Sequence, residues 1–201
     1  MPSHPSHPSH ADVVAVATDL LCQDGPAAVS VRNVASRLGV SHQVVYSRFG
    51  GKDGLVDAMV LRGHALLAAR LEAVTEPVGS PERVVALGGA YLDAALAEPA
   101  LYQVMFDRPV AGYKPSPASR DAARASFRPL RDAIAACWKA GTLRPTTAVP
   151  DPDTLAHMCW ASAHGLASLT LAGHHAPSGP QSVLTATAAA LLSPHTPRRT
   201  R

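Results

Sequence analysis

Isoleucine, glutamate and aromatic residues are all scarce in this chain. Its 201 residues include one isoleucine (Ile134), four glutamates and nine aromatics. With 37 alanines and few β-branched or aromatic runs, the sequence offers little for a sheet and points to helices. No stretch reaches the roughly eighteen uninterrupted apolar residues of a membrane span, so an integral membrane protein is not expected. The first residues hold no basic segment followed by an apolar run, so no secretion signal is expected either. Three widely spaced cysteines (Cys22, Cys137, Cys159) fit a reducing cytoplasm better than a disulfide framework. Enzymatic signatures are missing too: there is no nucleophile elbow, zinc-ligand spacing or paired carboxylate cluster. Gly50-Gly51-Lys52 lacks the upstream glycine and the following Ser or Thr of a phosphate loop. No catalytic residue, metal site or cofactor is expected.

What is present is a core-forming composition, 47% hydrophobic against 16% charged, with a mildly basic balance of +3. Residues 1–10, MPSHPSHPSH, place proline every third residue and read as a disordered tail. Its His4, His7 and His10 could hold a metal only weakly. Further on, prolines mark helix starts at Pro81, Pro99, Pro152 and Pro180, three of them after a capping Ser, Asp or Gly. Gly141 and Gly173 stand where helices should end. About nine helices follow: 11–23, 30–38, 41–48, 52–75, 81–97, 99–106, 118–140, 152–172 and 180–192. Pro129 should kink or split the seventh. The proline-rich loops 107–117 and 142–150 should be exposed, and 193–201 should form a short basic tail.

From Pro26 to Lys52 the chain has no acidic side chain, yet it carries Arg32, Arg37, Arg48, Lys52 and His42. A positive field on one small lobe suits a polyanion such as DNA. Within it, Val31, Val34, Ala35 and Leu38 share one helical face behind a Ser30 cap. Gly39 supplies the left-handed turn, Ser41 should cap the next helix, and Val45 and Phe49 point inward. Two short helices around a glycine turn form a helix-turn-helix, whose second helix enters the major groove.

The run VSVRNVASRLGVSHQVVYSRFGGKDGLVDAMV resembles the DNA-binding domain of TetR-type transcriptional regulators. The Ala-x-x-Leu-Gly-Val-Ser turn, the Tyr46-x-x-Phe49 pair and Lys52 followed by Leu55 carry the likeness. Trp160-Ala-Ser-Ala-His164-Gly165, with Tyr91 and the Glu98-to-Phe106 stretch, resembles the C-terminal region of the Trp-His-Gly (WHG) subgroup. The resemblance implies an all-α protein. Residues 11–52 would be an N-terminal three-helix helix-turn-helix head. A linker helix would join it to a ligand-binding and dimerisation domain at 53–192.

The resemblance also implies roles. Ser30 and Arg32 open the second helix at the DNA, where Arg32 can read a guanine edge. Ser41, His42, Gln43 and Val44 form the exposed first turn of the recognition helix; Gln43 suits adenine and Val44 a thymine methyl. Tyr46, Arg48 and Lys52 hold phosphates. Arg37 faces away and reads as an ordinary surface side chain. One departure stands out: such chains commonly begin their first helix with several arginines, and this one has Ala11-Asp12-Val13-Val14.

In the larger domain, Tyr91, Tyr102, Met105, Phe106, Trp138, Met158, Trp160 and His164 are the candidate ligand-binding residues; each could equally be core packing. His157 and His164 are about 10 Å apart along one helix, too far to share a metal. Val13, Val16, Leu20 and Leu21 should form the core face of the first helix, and Leu55, Met59 and Leu66 that of the linker. Leu155, Cys159, Leu166 and Leu169 make a stripe on helix 152–172. Val183, Leu184, Ala188, Leu191 and Leu192 make another on 180–192. The resemblance implies a homodimer through these two helices and hence a palindromic operator. The expected function is a cytoplasmic, sequence-specific transcriptional repressor released from its operator by a small, largely apolar ligand. Alternatives are an activator of the same architecture, or a regulator sensing redox state through Cys137 and Cys159.

Overall fold

A computed structural model describes residues 8–107 and 109–196. The described residues form nine α-helices and two 3-10 turns, with no strand. They are α1 (His10–Asp24), α2 (Val31–Leu38), α3 (His42–Phe49), α4 (Lys52–Glu72), α5 (Pro81–Ala97), α6 (Pro99–Phe106), α7 (Pro117–Ala140), α8 (Pro152–Leu171) and α9 (Pro180–Leu192). The 3-10 turns are Pro26–Ala28 and Ser193–His195. Proline opens α5, α8 and α9, where its missing N–H costs no helical bond. Ser80 and Asp151 cap the first two of these through their side chains.

Several elements differ from the sequence expectation. The first helix begins at His10, because Ser9 and Asp12 form a reciprocal capping box. The tail therefore stops short of residue 10, and its His4 and His7 lie outside the described residues. In α1, Val13, Val14, Ala17, Leu20 and Leu21 are buried, while Val16 is only half-buried. Helix α7 runs through Pro129 without a break; what is lost is the N–H that Ala125's carbonyl would have accepted. The loop after α6 is not simply exposed, since Val110 and Tyr113 are buried. Leu143 and Val149 likewise turn inward from the loop before α8. The expected basic tail starts too early at 193. His195 is buried, its Nδ1 lies 2.8 Å from the Arg144 carbonyl, and Arg144 N donates to the His195 carbonyl at 2.7 Å. The residues from 197 on lie outside the described residues.

The chain divides into two compact units. One comprises residues up to Ala65 together with Ala100–Ala122; the other comprises Leu66–Pro99 and the chain from Ala123 on. The first unit thus exceeds the expected head of 11–52, since two thirds of α4, nearly all of α6 and the start of α7 belong to it. Its core is Val13, Ala17, Val34, Val45, Leu55 and Met59. The second unit packs α5, α8 and α9 against one another, with Leu87, Leu92, Ile134, Leu155 and Leu184 inside.

Candidate functional site

The helix-turn-helix is set by backbone geometry at three glycines. Gly39 ends α2 at φ 67° and Gly50 ends α3 at φ 68°, both left-handed and therefore hard for any residue with a Cβ. Gly54, in the first turn of α4, has ordinary backbone angles but no room. A Cβ there would collide with the Phe49 carbonyl oxygen, so α4 starts directly on the end of α3. Ser30 caps α2 by accepting the Asn33 N–H at 3.1 Å. Ser41 occupies the corresponding position of α3, but its hydroxyl makes no capping bond. That part of the expectation is corrected: α3 relies on its backbone turn alone.

This scaffold presents most of the expected contact residues outward. Arg32, Ser41, His42, Gln43, Arg48 and Lys52 are exposed, and Tyr46 is 51% exposed despite its aromatic ring. Ser30 and Val44 are half-buried, while Val45 and Phe49 form the inward face of α3. Arg37 is turned aside, paired with Asp24 at 3.3 Å. Arg48 differs from its expected role in one respect. Its guanidinium donates to the Pro8 carbonyl, while the His10 ring stacks on Phe49 with centroids 4.7 Å apart.

Sequence reasoning missed the polar centre that joins α4 to the loop before α7 and to the first turn of α7. The Asp57 carboxylate accepts from Tyr113 Oη at 2.7 Å, Ser116 N at 3.0 Å and Ser119 Oγ at 2.8 Å. Burial by itself would raise this carboxyl, but these hydrogen bonds outweigh it and hold the group below its ordinary value. The available signal was an aspartate amid the apolar run Leu55–Val60, with Tyr113 as an unassigned aromatic. Nearby, α6 approaches α4 so closely that a Cβ on Gly63 would run into the Met105 sulfur. His64 is buried edge-on to Phe106, centroids 6.2 Å apart, and burial lowers its basicity.

The candidate ligand residues fall in both units. Tyr102, Met105 and Phe106 lie in the first, where Tyr102 and Phe106 have centroids 5.0 Å apart. Tyr91, Trp138, Met158, Trp160 and His164 lie in the second. There Tyr91 Oη and His164 Nδ1 are 3.0 Å apart, and the His164 ring is 5.9 Å from that of Trp160. Phe127, which sequence reasoning passed over, completes the cluster at 5.4 Å from Trp160 and 4.7 Å from His157. The indole N–H of Trp138 is buried without a hydrogen-bond partner among the described residues. Met158 is on the exposed side of α8, as is Leu169. Among the described residues no group of three metal-ligating side chains converges. Burial raises the Cys137 thiol, with a smaller push from Glu82, and raises that of Cys159 to about 11. Neither is poised as a thiolate, which weighs against the redox reading.

A three-helix head with a glycine-turned helix-turn-helix, followed by a larger helical region, defines a class of helical regulatory proteins. The family model "Bacterial regulatory proteins, tetR family" matches residues 13–59. The model "Tetracyclin repressor-like, C-terminal domain" matches residues 84–192, more than half of the chain. The chain belongs to the TetR family, whose members are regulators and not enzymes. It is 39% identical over 88 residues to the HTH-type transcriptional repressor Rv3405c of Mycobacterium tuberculosis. That match spans 44% of this chain and 46% of the other, so the chain covers about half the length of the first curated relatives it matches. A protein of unknown function from Rhodococcus sp. RHA1 superposes with a TM-score of 0.79 at 26% identity, covering 97% of this chain and all of that one. The TetR-family regulator PfmR from Thermus thermophilus shares the fold, with a TM-score of 0.70 at 18% identity, covering 90% and 97%.

Proposed function

We propose that this protein is a homodimeric transcriptional repressor that binds operator DNA through α3 and releases it when a small, largely apolar ligand binds. The observation that carries the reading is the outward face of α2 and α3. It presents Arg32, His42, Gln43 and Tyr46, with Lys52 at the start of α4 beside them in sequence, within a stretch free of acidic side chains. Arg32, Gln43 and Val44 read base edges; Ser30, Ser41, His42, Tyr46, Arg48 and Lys52 position the head on the phosphates. The repressor named among the relatives supports this direction of regulation over activation.

Dimerisation through α8 and α9 is supported by exposed apolar side chains on the first, Met158 and Leu169, and by the alanines 186, 189 and 190 exposed on the second. A two-fold dimer reads a palindrome, its half-sites about one helical turn of DNA apart. In the second unit, Tyr91, Trp160 and His164, joined by Phe127, offer an apolar ligand aromatic surface with one polar pair. No single described helix is long and apolar enough to cross a membrane; the cytoplasm is the compartment proposed.

The test is a pair of substitutions, Arg32→Ala and Tyr46→Ala, assayed on DNA selected by the parent protein. Each should weaken binding by about tenfold or more while leaving the melting temperature unchanged. Parental affinity in both would overturn the assigned docking.

A further inference from the structure

The chain runs between its two units at three places: within α4 after Ala65, at the start of α6 after Pro99, and within α7 after Ala122. The face assigned to DNA lies in the first unit, and the helices assigned to the dimer, α8 and α9, lie in the second. These three stretches are therefore the covalent mounts of the head, and inside the first unit they are fastened to one another. Helix α6 is pressed on α4 at Gly63 and Met105, with Phe106 edge-on to His64. Apolar packing of that kind is non-directional. The fastening of α4 to α7 is different, because three donors converge on one atom, Asp57 Oδ1. They come from the loop (Tyr113), from the residue that precedes α7 (Ser116) and from the first turn of α7 (Ser119). The donors are themselves held: Ser116 Oγ accepts the Ser119 N–H at 3.1 Å, and Arg120 donates to the Pro115 carbonyl at 2.6 Å. Hydrogen bonds weaken steeply when bent, so three that meet at one oxygen fix an angle as well as a distance.

We infer that Asp57 is a positioning residue for DNA recognition: it fixes the angle between α4 and α7 and thereby sets the half-site spacing that the dimer accepts. Asp57 is not on the face assigned to DNA and acts only through these two helices. Packing gives little reason for a carboxylate there. Leu55, Val56 and Met59 already fill the core around it, and drawing a charge part-way out of water costs free energy that an apolar side chain would not. A directional fastening is what the charge adds. One base pair inserted between two half-sites moves one of them by about 3.4 Å and turns it by about 35°. Heads on fixed mounts reject that change, whereas heads on loose mounts follow it.

The inference rests on the dimeric DNA-binding reading, and one set of titrations separates the two. The full chain is compared with Asp57→Ala and with the double variant Tyr113→Phe, Ser119→Ala. Each is titrated on the selected operator and on duplexes whose half-sites stand one base pair closer or farther apart. An unfolded fraction weakens binding to every duplex by the same factor, so the ratio between duplexes reads geometry and not stability. The parent should prefer its own spacing by about tenfold or more, and both variants by less than about threefold. A parental ratio in Asp57→Ala, or in the double variant where Asp57→Ala does not fold, would overturn the role of Asp57 and leave the docking of α3 standing. Equal binding of the parent to all three spacings would overturn that role and the palindromic operator together. Failure of the parent to bind any duplex would overturn the docking of α3 as well.

Discussion

The two compact units place their candidate functional side chains in opposite ways. In the first, the candidate contact residues of α2 and α3 point outward, and what fixes them is backbone: left-handed Gly39 and Gly50, and Gly54 pressed on the Phe49 carbonyl. In the second, polar groups turn inward upon one another, as in Tyr91 with His164 and Arg144 with His195. A surface that docks on a regular polymer needs a rigid frame and solvated side chains. A domain that senses small molecules instead needs shape and a few polar groups within apolar walls.

Substitutions ranked by expected effect sharpen the contrast. Gly54→Ala should do the most damage, because neither backbone atom can yield without moving α3 against α4. A loss of about 3 kcal/mol in stability, read by chemical denaturation, is expected. A parental unfolding curve would mean that the frame is softer than its geometry says.

Next comes Asp57→Asn, which removes a charged acceptor from three donors and should cost about 2 kcal/mol. The sign of its pH dependence follows from the lowered carboxyl. The contribution is complete above the unfolded value of about 4 and is lost as the pH falls through the lower folded one. Acid unfolding should therefore begin from a lower plateau in the variant and be less steep. Superimposable acid limbs would show that Asp57 does not tie the loop to α4.

In the second unit, Tyr91→Phe should cost about 1 kcal/mol by leaving His164 without this partner, and should leave DNA affinity unaltered. A matching drop in DNA affinity would erase the distinction drawn between the units. The smallest effect is expected for Arg37→Ala. Its ion pair with Asp24 is about half exposed on both sides, and such pairs contribute about 0–1 kcal/mol. A large loss of DNA binding would return Arg37 to the contact surface.

The unequal legibility of the two units has the same physical origin. The helix-turn-helix could be read directly, because a glycine turn, a serine cap and an acid-free run are local features. Helix boundaries were equally readable wherever proline or glycine marked them. The Asp57 centre was not, since its donors sit more than fifty residues away and only the tertiary fold unites them. Phe127 was missed for the same reason: nothing in its own segment tells that α8 brings Trp160 to it. Of the sensor candidates, Tyr91, Trp160 and His164 do meet, whereas Met158 is exposed because the helical period carries it to the opposite side of α8.

The central claim is that the exposed face of α3 recognises a particular DNA sequence. The most direct measurement is a salt titration of the full chain on its selected operator beside a scrambled duplex of equal length. At least about a thousandfold preference for the operator is expected, with an affinity that falls steeply with salt on both duplexes. Equal binding to the two duplexes, or none to either, would contradict it.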